Sequence, residues 1–216
     1  LIGDYSVKIQ DQILAQGEVL SAKLVVFLLN QKGISAKLAD TRELIITDSN
    51  FGDAQPLDTI SKKNIIQIFK ENKDSVLVIT GFIGSNAKNE TTTLGRNGSN
   101  YTASLIANYI NAEELQNFTH VDGIYTANPE LVLDAKKIES LSYSEANEMA
   151  NFGANILHAK TIIPLLDKNI PLRILNTFNY ENNGTLMTSN SNKEGKKTLS
   201  VLENVALVNL EGRGLL

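Results

Sequence analysis

The chain has 216 residues, of which 42% are hydrophobic, so it is long enough for one full-sized domain or for a domain and part of another. It contains no cysteine and two histidines, which excludes disulfides, thiolate metal sites, a cysteine nucleophile and a histidine-rich metal cluster. The net charge of −4, the lack of a basic run or signal peptide, and a longest apolar run far below the roughly 20 residues of a membrane span predict a cytoplasmic protein that binds neither nucleic acid nor membrane.

The first predicted element is a long helix. Apolar residues recur at spacings of three and four over residues 2–32, which is the period of a helix. Gly17 interrupts this pattern and predicts a break, and Gly33 predicts the end of the helix. Short apolar runs then predict strands at residues 36–39 and 44–46.

The middle of the chain predicts a helix, a strand, a loop and another helix. The helix covers residues 58–72, with Asp58 as its N-terminal cap. The β-branched run at residues 76–80 is typical of a buried strand in a parallel sheet. Residues 81–99 are rich in Gly, Thr and Asn and predict a loop, which leads into a helix at residues 100–110.

A capping box predicts the next helix start. Ser142 and Glu145 form the S-x-x-E pattern in which side chain and backbone cap each other, and the helix is expected to run to residue 152. The other elements predicted in this part of the chain are a strand at 115–121, a helix at 158–168 and a strand at 172–175.

The alternation of strands and helices predicts the α/β class, with an αβα sandwich around a mostly parallel sheet. Residues 190–197 are polar and without periodicity, which predicts a linker. Two short apolar runs after it, at residues 198–202 and 205–210, predict strands of a second unit.

The strongest chemical signal is a glycine-rich segment before a helix. Gly95 and Gly98 would present backbone N–H groups at a helix N-terminus, which attracts anions. Arg96 adds donors suited to a carboxylate or phosphate, and Ser99 adds a hydroxyl. The structural alternative is a helix start capped by Asn100, with a solvated arginine.

Three further segments carry weaker signals. Residues 119–129 form a polar loop after a strand, where α/β proteins bind ligands, although Tyr125 is also typical of a half-buried turn residue. His158, which follows Gly153 between two helices, is by itself more typical of a core or helix-start residue. Glu18 could bind an ammonium group, or could be a favourable charge in the first turn of a helix.

Together these segments resemble aspartate kinase of the amino-acid kinase family. The resemblance covers roughly residues 11–187, and the form of residues 95–99 and 174–177 resembles the kinase half of bifunctional aspartokinase–homoserine dehydrogenases. The tail from residue 198 resembles the start of an ACT-type regulatory region. The matching segments, in chain order, are residues 16–21, 40–42, 81–84, 91–103, 119–129, 152–158, 171–176 and 184–186.

The resemblance implies a reaction and its site residues. The family transfers the γ-phosphoryl group of ATP to the side-chain carboxylate of L-aspartate, with Mg²⁺ held mainly by phosphates and water. The implied catalytic residues are Arg96, Ser99 and Asn100. The implied aspartate-binding residues are Glu18, Arg96, Asn97, Gly98 and Ser99. The implied nucleotide-binding residues are Thr119, His120, Tyr125, Glu130, Asn155 and Ile156.

The sequence departs from the family pattern at several site positions. The family usually has Asp at the positions of Asn100 and His120, often Arg at Glu130, often Lys at Asn155, and Pro at Ala159. The Lys-Phe-Gly-Gly segment that opens the family's kinase domain is absent from this sequence. We therefore expect this chain alone to be inactive, to expose sheet surface and to be poorly soluble.

The resemblance also implies an organisation and leaves alternatives open. Residues 1–189 would be the kinase part, residues 190–197 a linker and residues 198–216 the start of the regulatory part. The full-length protein is expected to form a homo-oligomer, to bind an amino-acid effector at its regulatory region and to serve lysine, threonine and methionine biosynthesis. The alternatives are another amino-acid kinase, such as a glutamate or carbamate kinase, and a non-catalytic amino-acid sensor derived from a kinase.

Overall fold

Helices and strands are mixed along the chain, and they alternate, as the sequence predicts, from α1 to β3. The computed structural model describes residues 6–151 and 159–190. The helices are α1 (Val7–Gln31), α2 (Thr41–Leu44), α3 (Asp58–Glu71), α4 (Gly98–Ile110), α5 (Tyr143–Asn151) and α6 (Ala159–Leu166). The strands are β1 (Ala36–Ala39), β2 (Ile46–Thr47), β3 (Val76–Ile79), β4 (Ile83–Asn86), β5 (Thr91–Thr93), β6 (Leu115–Thr119), β7 (Ile124–Tyr125), β8 (Lys137–Ile138), β9 (Ser140–Ser142), β10 (Leu172–Asn176) and β11 (Thr185–Thr188).

The strands form parallel and antiparallel pairs, which confirms the α/β class and its parallel elements. β1 runs parallel to β3, and β2 runs parallel to β4, which pairs antiparallel with β5. A four-stranded sheet has the order β6-β10-β11-β9, with β6 parallel to β10 and β9 parallel to β11. Parallel neighbours need long crossover connections, and helices such as α3 and α6 lie in these connections. The predicted linker beyond residue 190 and the strands at 198–202 and 205–210 lie outside the described residues.

Three apolar clusters hold these elements together. The largest lies on the four-stranded sheet and includes Leu141, Leu165 and Leu172. A second joins α3 to α4, with Ile65 fully buried at its centre. Helix α4 also packs along α6, so it connects the cluster of the four-stranded sheet to that of α3. The two N-terminal sheets and the four-stranded sheet thereby meet around α4.

Helix α1 is continuous, so the break predicted at Gly17 is wrong. A Cβ added at Gly17 would meet no atom within 4 Å, and Ala15 and Val19 on either side are buried. Their packing offsets the cost of an interior glycine, about 1 kcal/mol. The predicted end is confirmed, since Gly33 has a φ of +78° just after the C-cap residue Lys32.

Helix α1 is also long and apolar enough to cross a membrane by length and composition. The prediction that no segment could span a membrane counted only uninterrupted apolar runs. It did not identify α1, because Glu18 and Lys23 interrupt the apolar residues of this helix. A mostly buried core helix passes the same test, but only 17% of the apolar window of α1 is buried, through contacts such as those of Ala15 and Val19 with Ile83.

The segment predicted as a loop at residues 81–99 contains a β-hairpin, β4–β5. Its residues look loop-like because they are small and polar, yet all of β4 is buried. The hydroxyl of Ser85 donates to the carbonyl of Arg42 at 2.6 Å, and the hydroxyls of Thr47 and Thr92 lie 2.8 Å apart. Buried polar groups of this kind are stable once they are hydrogen-bonded. These partners are more than 40 residues distant, which no local pattern reveals.

Several predicted boundaries also differ. The strand predicted at 44–46 begins at Ile46, because Leu44 closes a helical turn whose N-cap, Asp40, accepts a hydrogen bond from the backbone N–H of Arg42 at 3.0 Å. Asp58 is the first residue of α3 rather than its cap, and it accepts a hydrogen bond from the hydroxyl of Tyr109 at 2.5 Å. The run at 76–80 contains a parallel strand as predicted, but the prediction that this strand is buried is wrong, because Val76 is exposed and residues 77–79 are half-buried.

The capping box is confirmed. The backbone N–H of Glu145 donates to the hydroxyl oxygen of Ser142 at 3.1 Å, and the carboxylate of Glu145 accepts from the backbone N–H of Ser142 at 2.7 Å. Helix α5 begins at Tyr143, directly after the cap. A local pattern suffices here because both partners lie within one helical turn.

Candidate active site

A tight turn at the end of β3 holds the first turn of α4 in place. Phe82 has a φ of +69°, a left-handed conformation that is costly for a residue with a side chain. Its backbone N–H donates to the hydroxyl of Thr102 at 3.0 Å, and its carbonyl accepts from the N–H of Leu94 at 2.8 Å. The hydroxyl of Thr102 donates in turn to the carbonyl of Gly98 at 2.9 Å. The strained residue therefore links β3, the end of the hairpin and α4.

Gly98 is required by this close approach. A Cβ at Gly98 would lie 2.7 Å from Cδ2 of Phe82 and 3.1 Å from its Cα. Its N–H donates to the carbonyl of Gly95 at 3.1 Å, and Gly95 itself has a φ of +75°. The two glycines of the sequence motif thus form a compact turn before the helix.

The structure brings Arg96, Asn97, Gly98 and Ser99 together at the N-terminus of α4. The N-cap is Asn97, with a φ of +59° and no side-chain cap, so the prediction of Asn100 as the cap is wrong. Asn100 lies inside the first turn, because the packing of Gly98 fixes where the helix begins. Within residues 6–151 and 159–190, the backbone N–H groups of Ser99 and Asn100 have no hydrogen-bond acceptor, as is usual for the first turn of a helix.

The turn has the chemistry of an anion site. Arg96 is exposed and forms no ion pair with the part of the chain that the structure describes. Unpaired N–H groups and the helix dipole favour a negative group at this end, and a guanidinium can bind a carboxylate through two hydrogen bonds. Ser99 is exposed in the same turn and lies directly against Gly81.

A buried carboxylate on α1 holds the end of β5 that leads into this turn, and it was not among the residues predicted from the sequence. Asp11 is 1% exposed. One of its oxygens accepts from the N–H groups of Gly52 (2.9 Å) and Thr93 (3.0 Å), and the other accepts from the hydroxyl of Thr93 (2.8 Å). Asp11 lies four residues before the buried Ala15, on the buried face of α1. The sequence signal that could have revealed Asp11 is a charged residue at helical spacing from the apolar residues of the buried face.

Glu18 lies on the same helix as Asp11 and is half-buried. Its neighbour Val19 belongs to the cluster of Ala15 and Ile83, against which Phe82 packs. Phe82 also contacts Gly98, so its side chain lies between this part of α1 and the turn that precedes α4. Glu18 forms no ion pair among the described residues.

A second set of predicted residues lies at the carboxyl ends of the parallel strands β6 and β10. The carbonyl of Thr119 accepts from the N–H of Thr177 at 2.8 Å, and its hydroxyl oxygen accepts from the N–H of Val121 at 3.1 Å. Asp122 accepts from the side-chain amide of Asn176 at 2.7 Å. His120 is exposed on this loop. Ligands bind at such strand ends in open α/β sheets.

The remaining nucleotide-binding candidates are only partly placed. Tyr125 is half-buried in β7, opposite Lys137 of β8. Glu130 is exposed, and its N–H donates to the side chain of Asn128 at 3.0 Å. Asn155, Ile156 and His158 lie outside the described residues.

One carboxylate near the site has a shifted pKa. Burial opposes ionisation of Asp40, but hydrogen bonds from the side chain and backbone of Arg42 outweigh it and hold the pKa of Asp40 below its ordinary value. The guanidinium Nη2 of Arg42 lies 2.5 Å from Oδ2 of Asp40. The described residues contain no group of three or more His, Asp or Glu side chains that could hold a metal ion.

Comparison with known proteins gives consistent matches. Residues 4–176 match the profile of the Amino acid kinase family. The chain is 35% identical over 222 residues to the bifunctional aspartokinase/homoserine dehydrogenase 2, chloroplastic, of Zea mays, covering all of this chain and 24% of that protein. It is 34% identical over 208 residues to the lysine-sensitive aspartokinase 3 of Escherichia coli strain K12, covering 95% of this chain and 46% of that protein. The chain therefore spans less than half the length of these relatives.

Solved structures agree with the sequence matches. The chain superimposes with a TM-score of 0.83 and 34% identity on E. coli aspartokinase III in complex with aspartate and ADP (R-state), covering 88% of this chain and 43% of that one. The same enzyme in complex with lysine and aspartate (T-state) gives a TM-score of 0.81. A UMP kinase from Ureaplasma parvum, at 14% identity and a TM-score of 0.56, shares the fold alone.

Proposed function

Because the chain belongs to the amino acid kinase family, we propose that it is the kinase part of an aspartate kinase. The reaction transfers the γ-phosphoryl group of ATP to the side-chain carboxylate of L-aspartate and yields 4-phospho-L-aspartate and ADP. The observation that carries the proposal is the turn of Arg96 to Ser99, which offers a guanidinium and unpaired N–H groups at a helix N-terminus beside α1. The aspartate and ADP bound by the E. coli relative support an aspartate site and an adenine nucleotide site here.

The chemistry asks the protein to hold anions rather than to move protons. A carboxylate with a pKa of about 3.9 is already ionised at neutral pH and can attack phosphorus directly. In the proposed complex Arg96 pairs with a carboxylate of aspartate, and Asn97, Gly98 and Ser99 contribute backbone and hydroxyl groups. Glu18 faces the ammonium group. Such positioning, together with charge stabilisation, supplies most of the catalysis in phosphoryl transfer.

We assign the nucleotide to the loops that follow β6 and β10. Thr119, His120, Tyr125 and Glu130 belong to this assignment, together with Asn155 and Ile156 from outside the described residues. Mg²⁺ bound to the phosphates would neutralise their charge. We propose that this ion is held chiefly by phosphate and water.

A second candidate function is an amino-acid sensor that binds ligand without turnover. The substitutions at the family's acidic positions favour it, because Asn100 occupies the first turn of α4, next to the proposed substrate. Asn100 keeps a polar side chain but removes one negative charge. The structural match with the aspartate- and ADP-bound relative favours the kinase over the sensor.

The proposal extends to the rest of the protein. We place the kinase part at residues 1–189, a linker at 190–197 and the start of an ACT-type regulatory region at 198–216. The lysine-bound E. coli relative supports an amino-acid effector, and the Zea mays relative supports a following homoserine dehydrogenase. We propose a homo-oligomeric cytoplasmic protein that interacts with neither membranes nor nucleic acids. Some plant relatives are described as chloroplastic, so fractionation of source cells tests the location.

The decisive experiment is an aspartyl-hydroxamate assay on the full-length gene product with ATP, Mg²⁺ and a panel of acceptors. We expect turnover with L-aspartate but not with glutamate or carbamate. Arg96→Gln should raise the KM for aspartate at least about tenfold, since a charge-assisted pair is lost. Lys88→Gln removes an exposed charge elsewhere and serves as the matched control. Aspartate binding without turnover would favour the sensor, and no binding would reject both functions.

A further inference from the structure

An ion pair joins α6 to the loop of residues 52–54, which lies beside the glycine-rich turn of residues 95–99. The ammonium group of Lys160, in the first turn of α6, lies 2.5 Å from Oδ1 of Asp53, although 107 residues separate them in sequence. The Lys160 side chain is 29% exposed and that of Asp53 is 57% exposed. Such exposed pairs contribute little to stability, so a stabilising role does not explain this one.

Asp53 lies directly against the turn that precedes α4. A Cβ on Gly95 would collide with Oδ1 of Asp53 and would lie 3.3 Å from the carbonyl of Gly52. The next residue, Ala54, donates its N–H to the carbonyl of Thr93 at 2.9 Å, which keeps this loop alongside the end of β5. The carboxylate of Asp53 is therefore fixed next to the residue that adjoins Arg96.

This arrangement poses an electrostatic problem for an anion site. A carboxylate beside Gly95 repels a negatively charged ligand at Arg96 and Ser99, and repulsion between charges a few ångströms apart persists even near a protein surface. The ammonium group of Lys160 contacts the same carboxylate oxygen that faces Gly95. A cation at that oxygen cancels most of the repulsion.

We propose that Lys160 is a positioning residue for anion binding, which neutralises Asp53 and so keeps the turn of residues 95–99 attractive to a carboxylate. This inference rests on the proposed function for the identity of the anion. It also ties the start of α6 to the aspartate site through charge. Lys160 acts through Asp53 and touches no substrate itself.

The test is a double-mutant cycle in the full-length gene product. Lys160→Met should raise the KM for aspartate about threefold to tenfold, because Asp53 is left uncompensated, with kcat nearly unchanged. Asp53→Asn together with Lys160→Met should return the KM to within about twofold of the wild type, since no charge then needs cancelling. The defect of Lys160→Met should shrink in about 0.5 M KCl, where surface charges are screened.

A matched control is available on the same molecule. Arg173→Met breaks the pair with Glu114, in which Nη2 and Oε2 lie 2.9 Å apart beyond the C-terminal end of α4, at the opposite end of that helix from residues 95–99. We expect no change in the KM for aspartate from this variant. A double variant as impaired as Lys160→Met, an unchanged KM in Lys160→Met, or a loss confined to kcat would each overturn the proposal.

A second readout separates this inference from the proposed function. Calorimetric titration with sodium sulfate probes the turn with a simple anion, whatever its organic substrate. If the wild type does not phosphorylate aspartate but sulfate binding weakens in Lys160→Met and recovers in the double variant, the inference holds and the proposed function fails. If the wild type binds neither aspartate nor sulfate, both fail.

Discussion

Replacing Asp11 tests whether a buried carboxylate on α1 organises the turn of residues 95–99. Asp11 accepts three hydrogen bonds, from two N–H groups and from the hydroxyl of Thr93. Asp11→Ala removes all three and leaves the N–H of Thr93 buried without a partner. Each hydrogen bond to a charged group contributes about 1.5–3 kcal/mol, and these values do not add fully, so we expect a loss of roughly 3–5 kcal/mol in local stability.

Asp11→Asn is the informative companion variant. Its amide oxygen can accept from both N–H groups, as one carboxylate oxygen does now, and its NH₂ can donate to the hydroxyl oxygen of Thr93. Both N–H groups and the hydroxyl oxygen of Thr93 then keep a partner, while the hydroxyl proton of Thr93 and the second amide hydrogen lose theirs, in addition to the charge assistance. We therefore expect a smaller cost, about 1–2 kcal/mol. Asp74→Ala, at an exposed position in the turn before β3, should change stability by less than about 0.5 kcal/mol.

The assay is native-state hydrogen exchange read on peptides that contain Gly52 and Thr93, because it reports local opening around these residues. Exchange of these peptides should accelerate most in Asp11→Ala, less in Asp11→Asn and not at all in Asp74→Ala. Since Thr93 leads into the turn of Arg96, the KM for aspartate should rise in the same order. Equal exchange in the Ala and Asn variants, or a cost below about 1 kcal/mol for Ala, would refute the anchoring argument.

Three further predictions follow from named contacts. Gly98→Ala places a methyl group 2.7 Å from the phenyl ring of Phe82, so it should lower the free energy of unfolding by about 1–3 kcal/mol and raise the KM for aspartate. Gly17→Ala, its control in open space on α1, should raise the thermal midpoint by an amount equivalent to about 0.5–1 kcal/mol. Hydrogen bonding by Arg173 lowers the pKa of Glu114, so the stability from this pair is present above the ordinary value of 4.5 and is lost as the pH falls below it; acid titration of Arg173→Met should show a weaker decline. Ser142→Ala should cost about 0.5–2 kcal/mol through loss of the capping box, measured by thermal unfolding, and Ser142→Thr should restore most of it.

The elements that the sequence predicted well are those set by neighbours in the chain. The capping box of Ser142 joins groups within one helical turn, and the apolar period of α1 and the glycine at its end are likewise local. The glycine-rich turn before α4 is local too, which is why the anion site could be proposed from sequence. In each case the deciding interaction spans a few residues.

The features that the sequence did not predict depend on partners far along the chain. The sequence of the β4–β5 hairpin is typical of a loop, and its strands are stabilised by contacts such as the hydrogen bond between Thr92 and Thr47, which is 45 residues away. The cap of α4 moved from Asn100 to Asn97 because the packing of Gly98 on Phe82 sets where the helix begins. No sequence spacing indicates such contacts, since they exist only after the sheets have formed.

The sequence by itself determined the α/β class and the family pattern, because helix period, turn chemistry and motif order are written in short stretches of chain. The resemblance to the family supplied the residues proposed for the aspartate and nucleotide sites. The tertiary structure decided what holds those residues in place. Asp11 reaches Thr93 across 82 residues and Lys160 reaches Asp53 across 107, and both contacts depend on packing that brings distant segments together. The role of each carboxylate depends on which groups pair with it, and tertiary packing determines which groups lie within reach.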